Sequence, residues 1–198
     1  MRGARRSLAA ALALAALALR AAAAETPLDT VRLHLDHASA VMAGPGVRNA
    51  KLAALHAMAR ELLDTRAMGH RALGPRLSKE SPATRQEFLR LFDAIIVRAW
   101  LNRLLLFDEP RFDYTGQNQA TDHPVVFTRI RTDADSYAID YELRESSSGW
   151  QVIDIRVEGI SLLRSYHAQF RRLLEHQSFD EVLERLQRKV KVLTEDPA

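Results

Sequence analysis

Cysteine is missing from all 198 residues. No disulfide can staple this chain, so its stability has to come from burial; an oxidising compartment permits disulfides without requiring them. Long apolar runs are missing too. The longest, Leu8 to Leu19, is an Ala/Leu stretch of 12 residues, too short for a membrane span of about 20. No Gly-x-x-x-x-Gly-Lys loop is present, so the chain cannot itself supply ATP-driven work. No Gly-x-Ser-x-Gly elbow surrounds Ser161 and no His stands out as its base, which argues against a serine nucleophile. His34 and His37 have the spacing of two metal ligands, but Asp36 points elsewhere on the helix and no third ligand is near. Surface histidines are the better account, and no metal is expected. Repeats, low-complexity stretches beyond the first two dozen residues and linkers able to split the chain are also lacking. One domain is expected over residues 25–198.

The start of the chain reads as an address. Arg2, Arg5 and Arg6 precede the apolar run, and Ala21 to Ala24 offers an A-x-A cleavage site before Glu25. Residues 1–24 are expected to be a cleaved secretory signal peptide, in preference to an uncleaved anchor. No Cys follows, so a lipoprotein anchor is not expected. This segment holds four Arg and no acid, and of 28 Lys+Arg and 25 Asp+Glu in the whole chain, 24 and 25 remain beyond it. The net charge of that remainder is −1 with His neutral. A nucleic-acid partner, which needs a basic face to displace counterions, is not expected. The 174 residues left are ample for one hydrophobic core.

Thr26-Pro27 followed by Asp29 reads as a helix start, with a hydroxyl cap, proline in the first turn and an acid at the positive end of the dipole. Leu28, Val31, Leu35, Ala38 and Val41 form its stripe, and Gly44-Pro45-Gly46 stops it. A second helix is expected over 48–64 and a short helical piece over 68–77, ending at Gly74-Pro75. The longest helix is expected over 82–107, where Phe88, Leu91, Phe92, Ile95, Ile96, Ala99, Trp100 and Leu104 recur at steps of three and four. Weaker strand signals follow at 111–115 and 125–131, separated by a polar loop with Gly116, Asn118 and Pro124.

The clearest alternation comes next. Tyr137, Ile139, Tyr141 and Leu143 take one face, and Ala138, Asp140, Glu142 and Arg144 the other, as in a strand buried on one side and wet on the other. Ser146 to Gly149 supplies a turn, and a second strand covers 150–157. Its apolar set changes parity from Trp150 and Val152 to Ile153, Ile155 and Val157, as a bulge near Val152 or a strand covered on both faces would produce. After Glu158-Gly159 the period lengthens, giving helices over 162–175, capped by Ser161, and 179–192. The expected architecture is an α+β domain: a four-stranded antiparallel sheet with helices packed on one face.

The last third also carries a likeness. The pattern consists of Tyr141 and Leu143, then Gly149, Trp150, Val152 and Asp154, then Val157, Gly159, Ile160, Ser161, Leu162 and Leu163, then Tyr166 and Phe170. Leu73-Gly74 and Gln86-Glu87-Phe88 fit it upstream. In these residues the chain resembles the MlaC / toluene-tolerance family of periplasmic lipid-binding proteins. It departs from that pattern at Leu63, Trp100 and Arg164, where Phe, Tyr and Asn are usual. The resemblance implies a curved sheet in a cystatin-like or nuclear-transport-factor-like cone enclosing an apolar cavity. It also implies a monomeric periplasmic carrier rather than an enzyme, with phospholipid as ligand and no other cofactor. Its implied partners are an outer-membrane lipoprotein/porin complex and an inner-membrane ABC transporter with its substrate-binding subunit, which together maintain outer-membrane lipid asymmetry.

The residues bear on that reading directly. Phe88, Phe92, Trp100, Phe127, Tyr137, Tyr141, Trp150, Tyr166 and Phe170 belong to elements whose apolar faces should converge. Core filling is the plain role for each, but a curved sheet beside one long helix leaves a wedge that side chains need not fill. A two-tailed lipid has roughly 30 methylenes, each worth about 0.8 kcal/mol when removed from water, so carriage needs a dry enclosure. The expected lipid-binding residues are Phe92, Ile96, Trp100, Tyr137, Ile139, Tyr141, Ile155, Val157 and Tyr166. A hopanoid or other polycyclic lipid is the alternative cargo. Asp154, in mid-strand, is expected to bond the turn before the final helices, or an Arg such as Arg164. Its rival role is general base of a pocket isomerase or hydratase, acting with a Tyr. Arg171-Arg172 and the basic residues of 185–191 make either a solvated face balanced by Glu175, Glu181 and Glu184, or a docking surface.

Overall fold

The computed structural model describes residues 26–105, 110–118, 122–132 and 135–195. The expected leader and the end of the long helix at 106–107 lie outside them. Helix α1 (Pro27–Ala43) starts as its sequence dictates: Thr26 Oγ1 accepts from the Asp29 N–H and Pro27 occupies the first turn. Helix α2 (Arg48–Leu62) buries Leu55, Met58, Ala59 and Leu62. Asp64 then caps α3 (Thr65–Leu73) by accepting from the Ala67 N–H at 2.8 Å. Gly74, at φ 54, lets the chain turn into a short 3-10 segment, Gly74–Lys79. Helix α4 (Pro82–Leu105) has 24 residues, roughly 36 Å at about 1.5 Å per residue.

The sheet runs β1 (Arg111–Gln117), β2 (Val125–Arg131), β3 (Ser136–Ser146), β4 (Gly149–Val157) and β5 (Ile160–Ser161), antiparallel in sequence order. It thus has five strands where four were expected. Glu158 and Gly159 both take positive φ, 49° and 76°, the geometry of a two-residue hairpin that matches sheet twist. The turn folds Ile160 and Ser161 back against Val157 and Arg156. The other half of that edge is covered by the α2–α3 junction, where the Asp64 N–H donates to the Val152 carbonyl at 2.9 Å. The free edge of β4 is therefore covered at Val152 and again at Arg156 and Val157.

The change of parity in β4 is a bulge. Glu142 faces Asp154 but Leu143 faces Val152, leaving Ile153 as the extra residue. One expectation for β3 needs correction. Glu142, placed on the wet face, is buried between Arg71 at 3.0 Å and Arg156 at 2.7 Å. Its two guanidinium partners offset the cost of desolvating the carboxylate. Phe127 corrects a second, since it pairs with Asp140 on the outer face and is 37% exposed.

Helix α5 (Leu162–Leu174) and helix α6 (Phe179–Glu195) close the domain. Phe170 and Phe179 meet Phe88 edge-on, with ring centroids 5.4 and 6.0 Å apart, and Phe92 stacks on Phe88 at 5.6 Å. This aromatic cluster makes the interior solid along the first half of α4. The second half is different.

Candidate functional site: an uncharged cavity between sheet and helix

Beside the second half of α4 lies a cavity of about 510 Å³, within the range of about 300–1,000 Å³ typical of ligand pockets. The sheet register builds one wall. Ile130 faces Tyr137, Ile139 faces Val157 and Tyr141 faces Ile155 across adjacent strands. Directly opposed residues share a face, so these six side chains all turn inward. Ala99, Trp100 and Leu104 of α4 make the facing wall, and Leu162 and Tyr166 of α5 close it.

Seven of the nine expected residues line this space: Trp100, Tyr137, Ile139, Tyr141, Ile155, Val157 and Tyr166. Phe92 and Ile96 do not. Both are fully buried, and Phe92 meets Tyr166 and Phe170 at 5.5 and 6.1 Å between ring centroids. They belong to the same helical stripe as Trp100, one and two turns earlier, where the wedge has already closed. Ala99, Leu104, Ile130 and Leu162 line the cavity without having been singled out. Ala99 and Leu104 carried the signal of that same stripe. Ile130 had only its strand parity, and Leu162 nothing beyond the apolar run after Gly159.

Among the described residues the lining carries no charge. The polar atoms its side chains offer are the Trp100 indole N–H and three phenol hydroxyls, from Tyr137, Tyr141 and Tyr166. Burial pushes the Tyr141 and Tyr166 phenols above their ordinary ionisation range, and the nearby Asp135 carboxylate pushes Tyr137 up. All three stay neutral donors at physiological pH. Tyr137 is 36% exposed and its hydroxyl reaches Asp135 at 3.3 Å, which puts it at the rim. Tyr141 is only 2% exposed and lies deep.

Asp154 lies opposite Glu142, on the face of the sheet turned away from the cavity. Its carboxylate accepts from Ser161 Oγ at 2.6 Å, the Leu163 N–H at 3.0 Å and the Ile155 N–H at 2.9 Å. Ser161 Oγ in turn accepts from the Arg164 N–H at 2.9 Å and caps α5. The pair therefore fixes the start of the helix that roofs the cavity, and Arg164 meets it through its backbone rather than its guanidinium. His34 Nδ1 lies 2.8 Å from the Thr30 carbonyl, and no group of three metal-binding side chains forms among the described residues.

These features define a class: an α+β domain with an apolar pocket, uncharged among the described residues, between sheet and helix. The profile of the family described as MlaC protein matches residues 38–188, and the chain belongs to that family. No curated protein matches it by sequence. Among solved structures it is similar to a phospholipid-binding protein from Ralstonia solanacearum, determined in complex with a phospholipid. The two share 21% sequence identity and a TM-score of 0.72, over 83% of this chain and 97% of the other. They have the same fold.

Proposed function

We propose that this protein is a periplasmic phospholipid carrier, exported by the leader at residues 1–24. It would hold its cargo by the acyl chains between the sheet and α4, and shuttle it between an outer-membrane lipoprotein/porin complex and an inner-membrane ABC transporter. The observation that carries this reading is the uncharged cavity of about 510 Å³ at the second half of α4. Each methylene removed from water gains about 0.8 kcal/mol, so such a space favours acyl chains and repels a charged substrate. Trp100, Ile139, Tyr141, Ile155, Val157 and Tyr166 are the proposed acyl-chain contacts, with Tyr137 at the rim near the polar head. Phe92 supports Tyr166 from behind. Family membership and the phospholipid bound to the similar Ralstonia solanacearum protein support the same cargo.

A pocket isomerase finds no support in the geometry. Among the described residues the cavity lining offers no carboxylate, imidazole or amine to move a proton, and Asp154 faces away from it with its oxygens already engaged. The deciding experiment is organic extraction of the purified exported protein followed by mass spectrometry. Phospholipid in stoichiometric amount is the expected result. A hopanoid or other polycyclic lipid in its place would reassign the cargo. Protein that is repeatedly empty and takes up no lipid from vesicles would overturn the carrier reading.

A further inference from the structure

At the opposite end of α4 from the cavity, a concave groove of about 530 Å³ runs between the end of α2, the start of α3 and the start of α4. Arg60, Arg66, Arg85 and Arg90 line it, with His70, against one carboxylate, Asp93. Asp93 is already engaged, by Arg60 at 2.8 Å and by the Thr65 hydroxyl at 2.7 Å. Arg90 is held by Glu87, whose carboxyl that guanidinium draws down to about 2. Arg66 and Arg85 form no ion pair among the described residues, and the one contact of the Arg85 guanidinium is with the Ser78 carbonyl at 3.3 Å. This basic surplus sits on a chain whose charge beyond residue 24 is −1.

Fold stability does not account for the arrangement. Arg66 is the second residue of α3, whose N-terminus the Asp64 carboxylate caps, and Arg85 the fourth of α4; within its first turn neither helix has an acid. The positive ends of two helix dipoles thus converge where the arginines are, and cations at a helix N-terminus are disfavoured. The combination instead concentrates positive potential in a hollow.

We propose that this groove docks an acidic, carboxylate-bearing segment of a partner protein. A flat anionic bilayer meets convex surfaces and leaves a hollow unfilled, whereas a protruding segment can enter it and pair Asp or Glu with Arg66 and Arg85 by two-pronged bonds. Pro82 and Leu89 supply an apolar floor for the stems. Asp93 and Leu104 are eleven residues apart on one helix, roughly 16 Å, so the groove and the cavity take different stretches of α4. The inference does not depend on what the cavity carries.

The test measures binding of a fluorescent hexa-aspartate peptide to the full exported protein, with hexa-lysine as control, in wild type and in the double variant Arg66→Glu/Arg85→Glu. Expected are binding of the acidic peptide alone, a loss of at least about tenfold on raising salt from about 50 to about 200 mM, and a further loss of about tenfold or more in the double variant. Arg66→Lys/Arg85→Lys should recover part of the affinity. The thermal midpoint of the Glu variant should be unchanged or raised, because acids replace cations at two helix starts. Acidic-peptide binding that ignores the double variant would overturn the proposal. So would sedimentation with phosphatidylglycerol vesicles that depends on these arginines when peptide binding does not, since that marks a membrane contact.

Discussion

Single residues divide the work of this fold sharply, and Asp154 shows how. Its carboxylate gathers three donors in one place, and the loss of any partner strands a buried group that water cannot reach. Asp154→Ala removes the acceptor altogether and is expected to lower the unfolding free energy by about 3 kcal/mol. Asp154→Asn keeps an oxygen for the two backbone N–H groups but sets an amide against the Ser161 hydroxyl, which must turn to accept. A loss of about 1 kcal/mol is expected there. Urea denaturation measures both, and lipid content in the Asn variant should match wild type, because Asp154 does not touch the cavity. A large loss of bound lipid with unchanged stability would place this residue in the site after all. The structural role of Asp154 was legible in the sequence as a lone acid in an apolar strand just before a helix start. That of Glu142 was not, since one of its two guanidinium partners, Arg71, lies 71 positions away on α3, and strand parity alone places an acid of that kind in water.

Elements show a different boundary between what can be read and what cannot. The two-residue period from Tyr137 to Leu143 and the step of three and four along α4 set which faces turn inward, and the cavity walls follow from those two patterns. They leave undetermined where along α4 the interior is solid. Phe92, Ile96 and Trp100 obey the same helical spacing, yet the aromatics of α5 fill the space beside the first while the cavity opens beside the last. Strand β5 escaped for a simpler reason, since two residues are too few to display a period. A variant tests the division. Ala99 is a small side chain on the helical wall, and Ala99→Phe adds a ring beside the void. The expected outcome is bound phospholipid cut by at least half in extraction and mass spectrometry, with the urea midpoint held or slightly raised as the hollow fills. The same change at Ile96, inside the packed region, should instead cost about 1–3 kcal/mol by overpacking. If the two variants lose stability alike, α4 has no empty side and the cavity is not a stable feature of the fold.

For the whole molecule, the absence of disulfides leaves stability to burial, and that burial takes in tyrosines whose phenols it makes harder to ionise. Tyr141 is fully enclosed, and burial raises its phenol; Tyr114, hydrogen-bonded to Asp36 at 2.7 Å, is raised first by burial and then by that bond; Tyr166 is raised by burial alone. The unfolded chain releases these protons near pH 10. Above that value the unfolded state binds fewer protons than the native one, so the stability they contribute is whole below about pH 10 and drains as pH rises toward the elevated native values. Each proton held back costs up to about 1.4 kcal/mol for every pH unit. Thermal melts across pH 8 to 11 should therefore stay level and then fall steeply from about pH 10. Tyr141→Phe, which keeps the ring and removes the proton, should flatten that fall while leaving the neutral-pH midpoint within a few degrees. Phospholipid supplied in excess should shift the alkaline limb upward, because a ligand that binds only the native state adds the same mass-action term at every pH where the pocket persists. A limb that loading leaves in place, in protein shown to be lipid-filled, would mean the filled cavity and the buried phenols do not share one cooperative unit.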